Sequence, residues 1–275
     1  MTGERRGTPV SVVIAARNAG EHIASCVASV ASWADEVLVV ENDSTDDTVL
    51  LASAEGARVF SHPFHTIGKQ RNVAIERSAH DWIFVVDADE RCTPALADEI
   101  AAIVAGGPEF DAFRVPRRNF FLGREIRHGG WERDRPVRLF RRELRYDERP
   151  VHEHVVTTGP VGTLREPLLH YTYNSLDQYF EKLDRYSRWW AEQHHERGRR
   201  ASALHVVVKP PARFLSMFVA RAGFLDGAHG LVVAALAAVS VAAKYARLWA
   251  LSRGLGRDAN ARAREEGPPR PLPRR

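Results

Sequence analysis

The sequence predicts an α/β fold: a mixed, mostly parallel sheet flanked by helices, followed by a helical extension. Three observations predict it. Short β-rich apolar runs alternate with helical periodicity up to about residue 110. Polar clusters follow three of those runs, and from residue 174 the pattern turns wholly helical.

Residues 10–15 form a continuous apolar run, as in a strand covered on both faces. Asn18 is placed to cap the next helix, with Glu21 reaching back, and Ile23, Cys26, Val27 and Val30 recur at helical spacing. Residues 36–40 read as a second strand. Ser44, Thr45 and Asp46 open a second helix that Gly56 closes. A short strand at 58–60, a helix at 69–78 and a strand at 82–86 follow. Thr93 and Pro94 supply the cap and first turn of a helix that stops at Gly106-Gly107-Pro108. Between 111 and about 173, strand-like pieces (112–115, 137–140, 152–156) lie among Gly, Pro and Arg clusters, and are expected to complete the sheet. Ser175, with Gln178 at the third position, caps a helix with Leu176, Tyr179, Leu183, Tyr186 and Trp190 on one face. The expected organisation is an α/β domain over 1–175 (halves at about 9–110 and 111–175), a helical extension over 176–251, and a disordered basic tail over 252–275.

The chain has 275 residues, 44% hydrophobic and 27% charged, which excludes a wholly disordered polypeptide. Its formal charge is +4, and nearly all of its 39 basic residues are arginine. That is either a codon bias or attraction to an anionic partner. No zinc finger or RNP-type strand is visible, so nucleic acid is not the expected partner. Cys26 and Cys92 lack metal or redox spacing and are expected as buried reduced thiols, with no demand for an oxidising compartment.

The sharpest chemical signal is Asp87-Ala88-Asp89, directly after the strand at 82–86. Two carboxylates two apart at a strand end can reach one hard cation, Mg²⁺ or Mn²⁺, which could bridge the phosphates of a nucleoside diphosphate. The alternative is a solvated acidic turn. After the second strand come Glu41-Asn42-Asp43-Ser44-Thr45-Asp46; Glu41 and Asp43 suit a ribose hydroxyl or base N–H, while the next three suit a helix cap. Gly68-Lys69-Gln70-Arg71-Asn72 is either an anion site at a helix start or a basic first turn. His152 and His154 alternate as a strand would and are a weaker metal candidate.

Taken in order, these motifs resemble the inverting family 2 glycosyltransferases of the GT-A fold. The set is residues 12–14 with Arg17-Asn18, Val39-Val40-Glu41 with Ser44-Thr45-Asp46, Gly68-Lys69-Gln70-Arg71-Asn72, and Asp87-Ala88-Asp89-Glu90. Within the family, the branch typified by lipopolysaccharide-core β-glucosyltransferases is the most similar. Gly130-Trp131 with Asp134, Arg138-Leu139-Phe140-Arg141, Val151-His152-Glu153 and Phe224-Leu225-Asp226-Gly227 resemble its later motifs. The likeness runs over about residues 9–250. It departs from the branch at Ala19, where Glu is usual, and at Glu41-Asn42-Asp43, where Asp-Ser-Gly is usual.

The resemblance implies a nucleotide-sugar donor, a UDP-sugar favoured, held by Ala15, Arg17, Asn18, Glu41, Asp43, Lys69, Arg71, Asn72, Asp87, Ala88 and Arg138. It implies a cation on Asp89 and Asp87. Inverting transfer needs a general base, with Asp134 the first candidate and Glu153 the second. A glycan or lipid-linked acceptor, lipopolysaccharide or other cell-envelope synthesis, and a cytoplasmic location at the inner face of the plasma membrane also follow from it. The apolar run 231–243 is shorter than the roughly 20 residues of a spanning helix. With the aromatic and basic residues around it, it favours peripheral membrane contact; packing on the catalytic domain or a homo-oligomer interface are the alternatives. Two other functional readings are a noncatalytic membrane-associated nucleotide-sugar binder and a sugar-nucleotidyltransferase. The latter normally opens on a Gly-rich phosphate loop, which Ala15-Ala16-Arg17-Asn18 is not.

Overall fold

The computed structural model describes residues 8–147, 149 and 153–255. His152, Val151 and the tail beyond residue 255 lie outside the described residues, so the expectations placed on them have no counterpart below. The chain divides into two compact units, the first ending at Thr172 and the second beginning at Tyr173.

The first unit is built on the predicted alternation. Strand β1 (Thr8–Ala16) leads to α1 (Ile23–Ala31), β2 (Ala34–Glu41), α2 (Thr48–Ala54), β3 (Arg58–Ser61), α3 (Ile67–Glu76) and β4 (Trp82–Asp87). A short β5 (Glu90–Cys92) and α4 (Pro94–Gly106) follow. Then come β6 (Ala112–Arg114), β7 (Arg117–Phe121), β8 (Arg124–Ile126), β9 (Val137–Arg141), β10 (Gly162–Thr163) and β11 (Leu168–Tyr173). The seven-stranded sheet has the order β10-β6-β9-β4-β1-β2-β3. Its β1, β2, β3 and β4 are parallel neighbours, and β9 runs antiparallel between β4 and β6.

Strand alternation explains why the first runs are apolar throughout. Val12, Ile14, Val39, Phe84 and Val86 join one core cluster with Ile23, Val27 and Ile100 from the helices. Val13, Leu38, Val40, Ile83 and Val85 point the other way, into a cluster with Ala74 and Ile75 of α3. Each such buried Val, Leu or Ile contributes about 1.5–3 kcal/mol. Cys26 and Cys92 are free and buried, and burial pushes the Cys92 thiol up to about 12.

The middle of the chain divides its strands between two sheets. Strands β6 and β9 complete the large one, as expected. Strands β7, β8 and β11 join β5 in a second sheet of four, order β5-β11-β7-β8, which periodicity alone does not reveal. The strand expected at 152–156 is reduced, among described residues, to one bridge between Tyr146 and Val155.

The second unit holds α5 (Leu176–Glu196), α6 (Ala203–Leu215) running into a π turn Ser216–Ala220, and α7 (Gly227–Ser252). Ser175 caps α5 by accepting from the amide of Gln178 at 3.1 Å. The buried face of α5 matches the expected one in part: Tyr179 is buried and Leu183 and Trp190 are half-buried, but Leu176 and Tyr186 are exposed, and Ser187 and Ala191 are buried instead. The small Ser187 and Ala191 allow close helix approach, an effect that counting large apolar residues misses. α7 is also longer than the apolar run 231–243, because Lys244 and Arg247 are accommodated within the helix and do not end it. Two stretches, Ala203–Ala220 and Gly223–Ser252, are long and apolar enough to cross a membrane by length and composition.

The Phe224-Leu225-Asp226-Gly227 motif is the tight turn into α7. It packs so closely that a Cβ built at Gly230 would lie 1.9 Å from the Gly223 carbonyl oxygen. Gly230→Ala is therefore expected to cost about 1–3 kcal/mol, read as a lower unfolding midpoint by circular dichroism. Gly106→Ala, where nothing lies within 4 Å, should unfold at or above the parent midpoint. Equal midpoints for the two variants would mean the turn relaxes freely.

Candidate active site

Parallel pairing aligns three strand ends. Ala16 of β1 lies beside Glu41 of β2, and Ala15 lies beside Asp87 of β4. The loops after these strands share the carboxyl edge of the sheet, where open α/β sheets bind ligands.

Asn18 joins two of those loops and does not cap a helix. With φ of 47°, it accepts from the Thr45 amide at 2.8 Å, and its own amide donates to Ser44 Oγ at 3.2 Å. The amides of Ala19 and Gly20 donate to Thr48 Oγ1 (2.7 Å) and Asp46 Oδ2 (2.9 Å). Helix α1 accordingly starts one turn later, with His22 as an N-cap that makes no side-chain bond. Glu41 is buried and internally bonded: it accepts from the Ser44 amide at 3.0 Å and from the Ser61 hydroxyl. Burial would raise its pKa, but the hydrogen bonds from Ser61 and Ser44 outweigh that and hold it below the ordinary value. Asp43 is exposed in a left-handed conformation, and Arg17 is exposed.

The end of β4 carries a cluster of buried charge. Asp87 Oδ1 accepts from Arg71 Nη2 at 2.5 Å, and Oδ2 accepts from Arg117 Nη2 at 3.0 Å and from Arg138. Glu90, fully buried, pairs with Arg117 at 2.6 Å and Arg138 at 3.4 Å, and its Oε2 accepts from the Asp87 amide at 2.7 Å. Burial alone would push the Asp87 carboxyl up; Arg138, Arg71 and Arg117 together hold it well below the usual carboxylate range. The cluster reaches outward through Arg71 to Glu153 (2.5 Å) and through Arg117 to Asp134 (3.2 Å). The Asp134 side chain is 39% exposed and Glu153 only 15%. Of the two carboxylates considered as a base, Asp134 is the more open.

Asp89 turns toward β11. Its Oδ1 lies 3.6 Å from His170 Nε2 of β11. Its other ring nitrogen, Nδ1, meets Asn119 Oδ1 at 2.7 Å and Thr172 Oγ1 at 3.3 Å, and Asn119 donates through Nδ2 to the Trp131 carbonyl at 3.1 Å. These contacts hold the ring so that Nε2 is the nitrogen facing Asp89. A carboxylate oxygen and an imidazole nitrogen fit a divalent cation such as Mn²⁺. The charge count fits as well: four carboxylates in the cluster meet three guanidiniums, and Asp89 adds another negative charge. No group of three or more His, Cys, Asp or Glu among the described residues is arranged as a complete metal site. A cation here would draw its remaining ligands from phosphate oxygens or water.

The helix start at Gly68 has a local structural use. A Cβ there would lie 2.4 Å from the Asp147 carbonyl oxygen, so the close approach is to the chain itself. Asn72 exchanges two 2.9 Å bonds with the backbone of Tyr146. Together they fasten residues 146–147 to α3. Lys69 is exposed, and Ala88 packs half-buried on the core beneath the site.

Three residues of this site were not singled out from the sequence, Arg117, Asn119 and His170, and Glu90 was read as part of the motif but given no role of its own. Glu90 has a local signal, being a carboxylate directly after the acidic pair. Arg117 and His170 have none, since only strand pairing brings them to Asp87 and Asp89.

Known proteins resemble this chain over most of its length. The sequence profile described as Glycosyl transferase family 2 matches residues 11–172. The lipopolysaccharide core biosynthesis glycosyltransferase LpsC of Rhizobium meliloti (strain 1021) is 30% identical over 253 residues, covering 86% of this chain and 93% of its own. An uncharacterized glycosyltransferase of Rickettsia typhi is 27% identical over 255 residues, covering 88% and 87%. Among solved structures, glucosyl-3-phosphoglycerate synthase of Mycobacterium tuberculosis, in complex with Mg²⁺ and uridine diphosphate, is 25% identical. That alignment covers 40% of this chain and 43% of the other, with a TM-score of 0.36.

The depressed pKa of Glu41 gives a pH signature. Its stabilising contribution is present above the ordinary carboxylate pKa and is lost as pH falls through the lower folded value. Glu41→Gln should therefore be less stable than the parent by about 1 kcal/mol at pH near 7, with the gap closing in acid. Urea unfolding at neutral and acid pH checks this, and a gap that widens in acid would contradict it.

Proposed function

We propose that this chain, which belongs to glycosyl transferase family 2, moves a sugar from a nucleoside-diphosphate donor to an acceptor hydroxyl with inversion at the anomeric carbon. The observation that carries this reading is the pairing of two differently set carboxylates at one sheet edge. Asp89 faces Nε2 of His170, and Asp134 stands half-open beside Arg117. The first arrangement suits a cation and a leaving diphosphate, the second a proton acceptor.

In this reading the acceptor oxygen attacks the anomeric carbon while its proton passes to an Asp134 carboxylate oxygen. The bond from that carbon to the diphosphate oxygen breaks, and its electron pair stays on the diphosphate. Arg117 holds the Asp134 carboxylate in place. Asp89 and His170 would hold Mn²⁺ or Mg²⁺, which when bound offsets negative charge on the departing diphosphate. Asp87 keeps the arginine cluster in place, and Glu41 and Asp43 lie where the nucleoside end of the donor would reach. A UDP-sugar is the favoured donor. The similarity to a lipopolysaccharide core transferase supports a glycolipid, lipopolysaccharide-core or lipid-linked acceptor. The exposed apolar side chains of α6 and α7 support action at a membrane surface, the inner face of the plasma membrane in this reading.

Binding of UDP, GDP, dTDP and CMP, measured by calorimetry with and without Mn²⁺, tests the donor half. One nucleotide should bind in a metal-dependent way, and Asp89→Ala and His170→Ala should each weaken it at least about tenfold. Metal-independent binding by the parent would remove the assigned cation site, and no binding of any nucleotide would favour a noncatalytic role. Asp134→Asn should lower transfer about 10²–10⁴-fold with donor affinity near that of the parent. If Glu153→Gln and not Asp134→Asn has that effect, the base is Glu153.

A further inference from the structure

The second unit contains a cavity of about 440 Å³ among α5, α6 and α7. Helix α7 lines it with Ser240, Lys244 and Tyr245, α5 with Trp190, and α6 with Arg213. Two cations thus face one cavity. Neither the Arg213 nor the Lys244 side chain makes an ion pair or hydrogen bond among the described residues. Elsewhere in this unit Arg188 and Arg247 share Asp184. Burial first, and then the charge of Arg213, pushes the Lys244 ammonium below its ordinary value. Two like charges held together without a counter-ion attract an anion.

The walls narrow the chemistry of that anion. The rings of Trp190 and Tyr245 lie 5.2 Å apart and form an aromatic wall. Ser240 adds a hydroxyl. A phosphate ester matches this set, because its oxygens accept from guanidinium, ammonium and hydroxyl while its organic part lies on the apolar wall. The surroundings favour a lipid as its source. Helix α6 leaves Leu204, Val207, Val208 and Leu215 exposed, and α7 leaves Leu231, Val232 and Val239 exposed. A lipid would bring the same helices the apolar surroundings that such surface calls for, whereas a small anion would engage the cations alone.

We propose that this cavity binds the phosphate head of an anionic lipid. The proposal rests on the membrane-surface part of the reading above and not on the transfer chemistry.

The test is sedimentation of the full chain with vesicles of phosphatidylcholine, and with vesicles of phosphatidylcholine and phosphatidylglycerol, at constant ionic strength. The parent should bind the anionic vesicles about tenfold or more tightly than the neutral ones. Arg213→Gln with Lys244→Gln should abolish that preference without changing the circular dichroism spectrum. Arg199→Gln with Arg200→Gln makes the same charge change at exposed arginines outside the cavity and should keep it. Equal loss in both double variants would replace the site by diffuse attraction and overturn the proposal. Displacement from the vesicles by inorganic phosphate at matched ionic strength would assign the cavity to a small anion and also overturn it. Parent binding that ignores the headgroup would sink the site but leave the membrane reading, whereas no binding to any vesicle would sink both.

Discussion

The first unit depends on one arrangement: two carboxylates at the end of β4 and the start of β5, held by three guanidiniums from α3, β7 and β9. Removing such ions from water costs several kcal/mol each, and the interior repays this only when nearly every lone pair is met. Here they are met. Asp87 receives an arginine on one oxygen and two on the other, and Glu90 receives two arginines and a backbone amide. The contacts run through the terminal nitrogens, and the Nε atoms of Arg71, Arg117 and Arg138 have no partner. The geometry is thus set by the carboxylates. Because the arginines come from separate elements, the same contacts fasten the helix after β3 and the second sheet to the end of β4.

This arrangement also separates two aspartates that look equivalent in sequence. Residues two apart in a strand share a face, but the chain turns at Ala88, so Asp87 and Asp89 point to different neighbours. Asp87 is enclosed by cations and held ionised. Asp89 lies against Nε2 of His170, whose ring is held by Asn119. A cation approaching the pair would meet the positive field of three arginines at Asp87 and an imidazole nitrogen at Asp89. The two carboxylates of the motif therefore have different surroundings, even though its spacing alone treats them as a pair.

What could be read from the sequence was what local chemistry determines. Buried strands announce themselves by unbroken apolar runs, and the caps at Thr93 and Ser175 by a hydroxyl three residues before an amide. Asn18 was misread because its side chain finds a nearer amide across the loops, at Thr45, than along its own helix. The run from Gly68 left an anion site and a basic first turn both open, and the backbone at Asp147 takes the space beside Gly68. The second sheet, with Arg117 and His170, could not be read at all. Its strands are short, and their placement is set by partners far along the chain. In the second unit the large side chains of α5 misled in part, since Ser187 and Ala191 are the residues that permit contact.

The charge balance of the site bears on how a nucleotide would be held. Carboxylates outnumber guanidiniums in the cluster, and the arginines are already engaged, so a diphosphate brought to Asp89 meets net negative charge. Two sources could offset it. Lys69 and Arg17 are exposed near the same edge, but exposed charges are screened over about 8–10 Å in physiological salt. A divalent ion between Asp89 and the phosphates would act at contact distance in a partly buried setting, where the effective dielectric is lower and the attraction several times stronger. The second term is the larger. In the proposed reading the cation would decide whether the diphosphate stays, and the exposed basic residues would tune the rate at which it arrives.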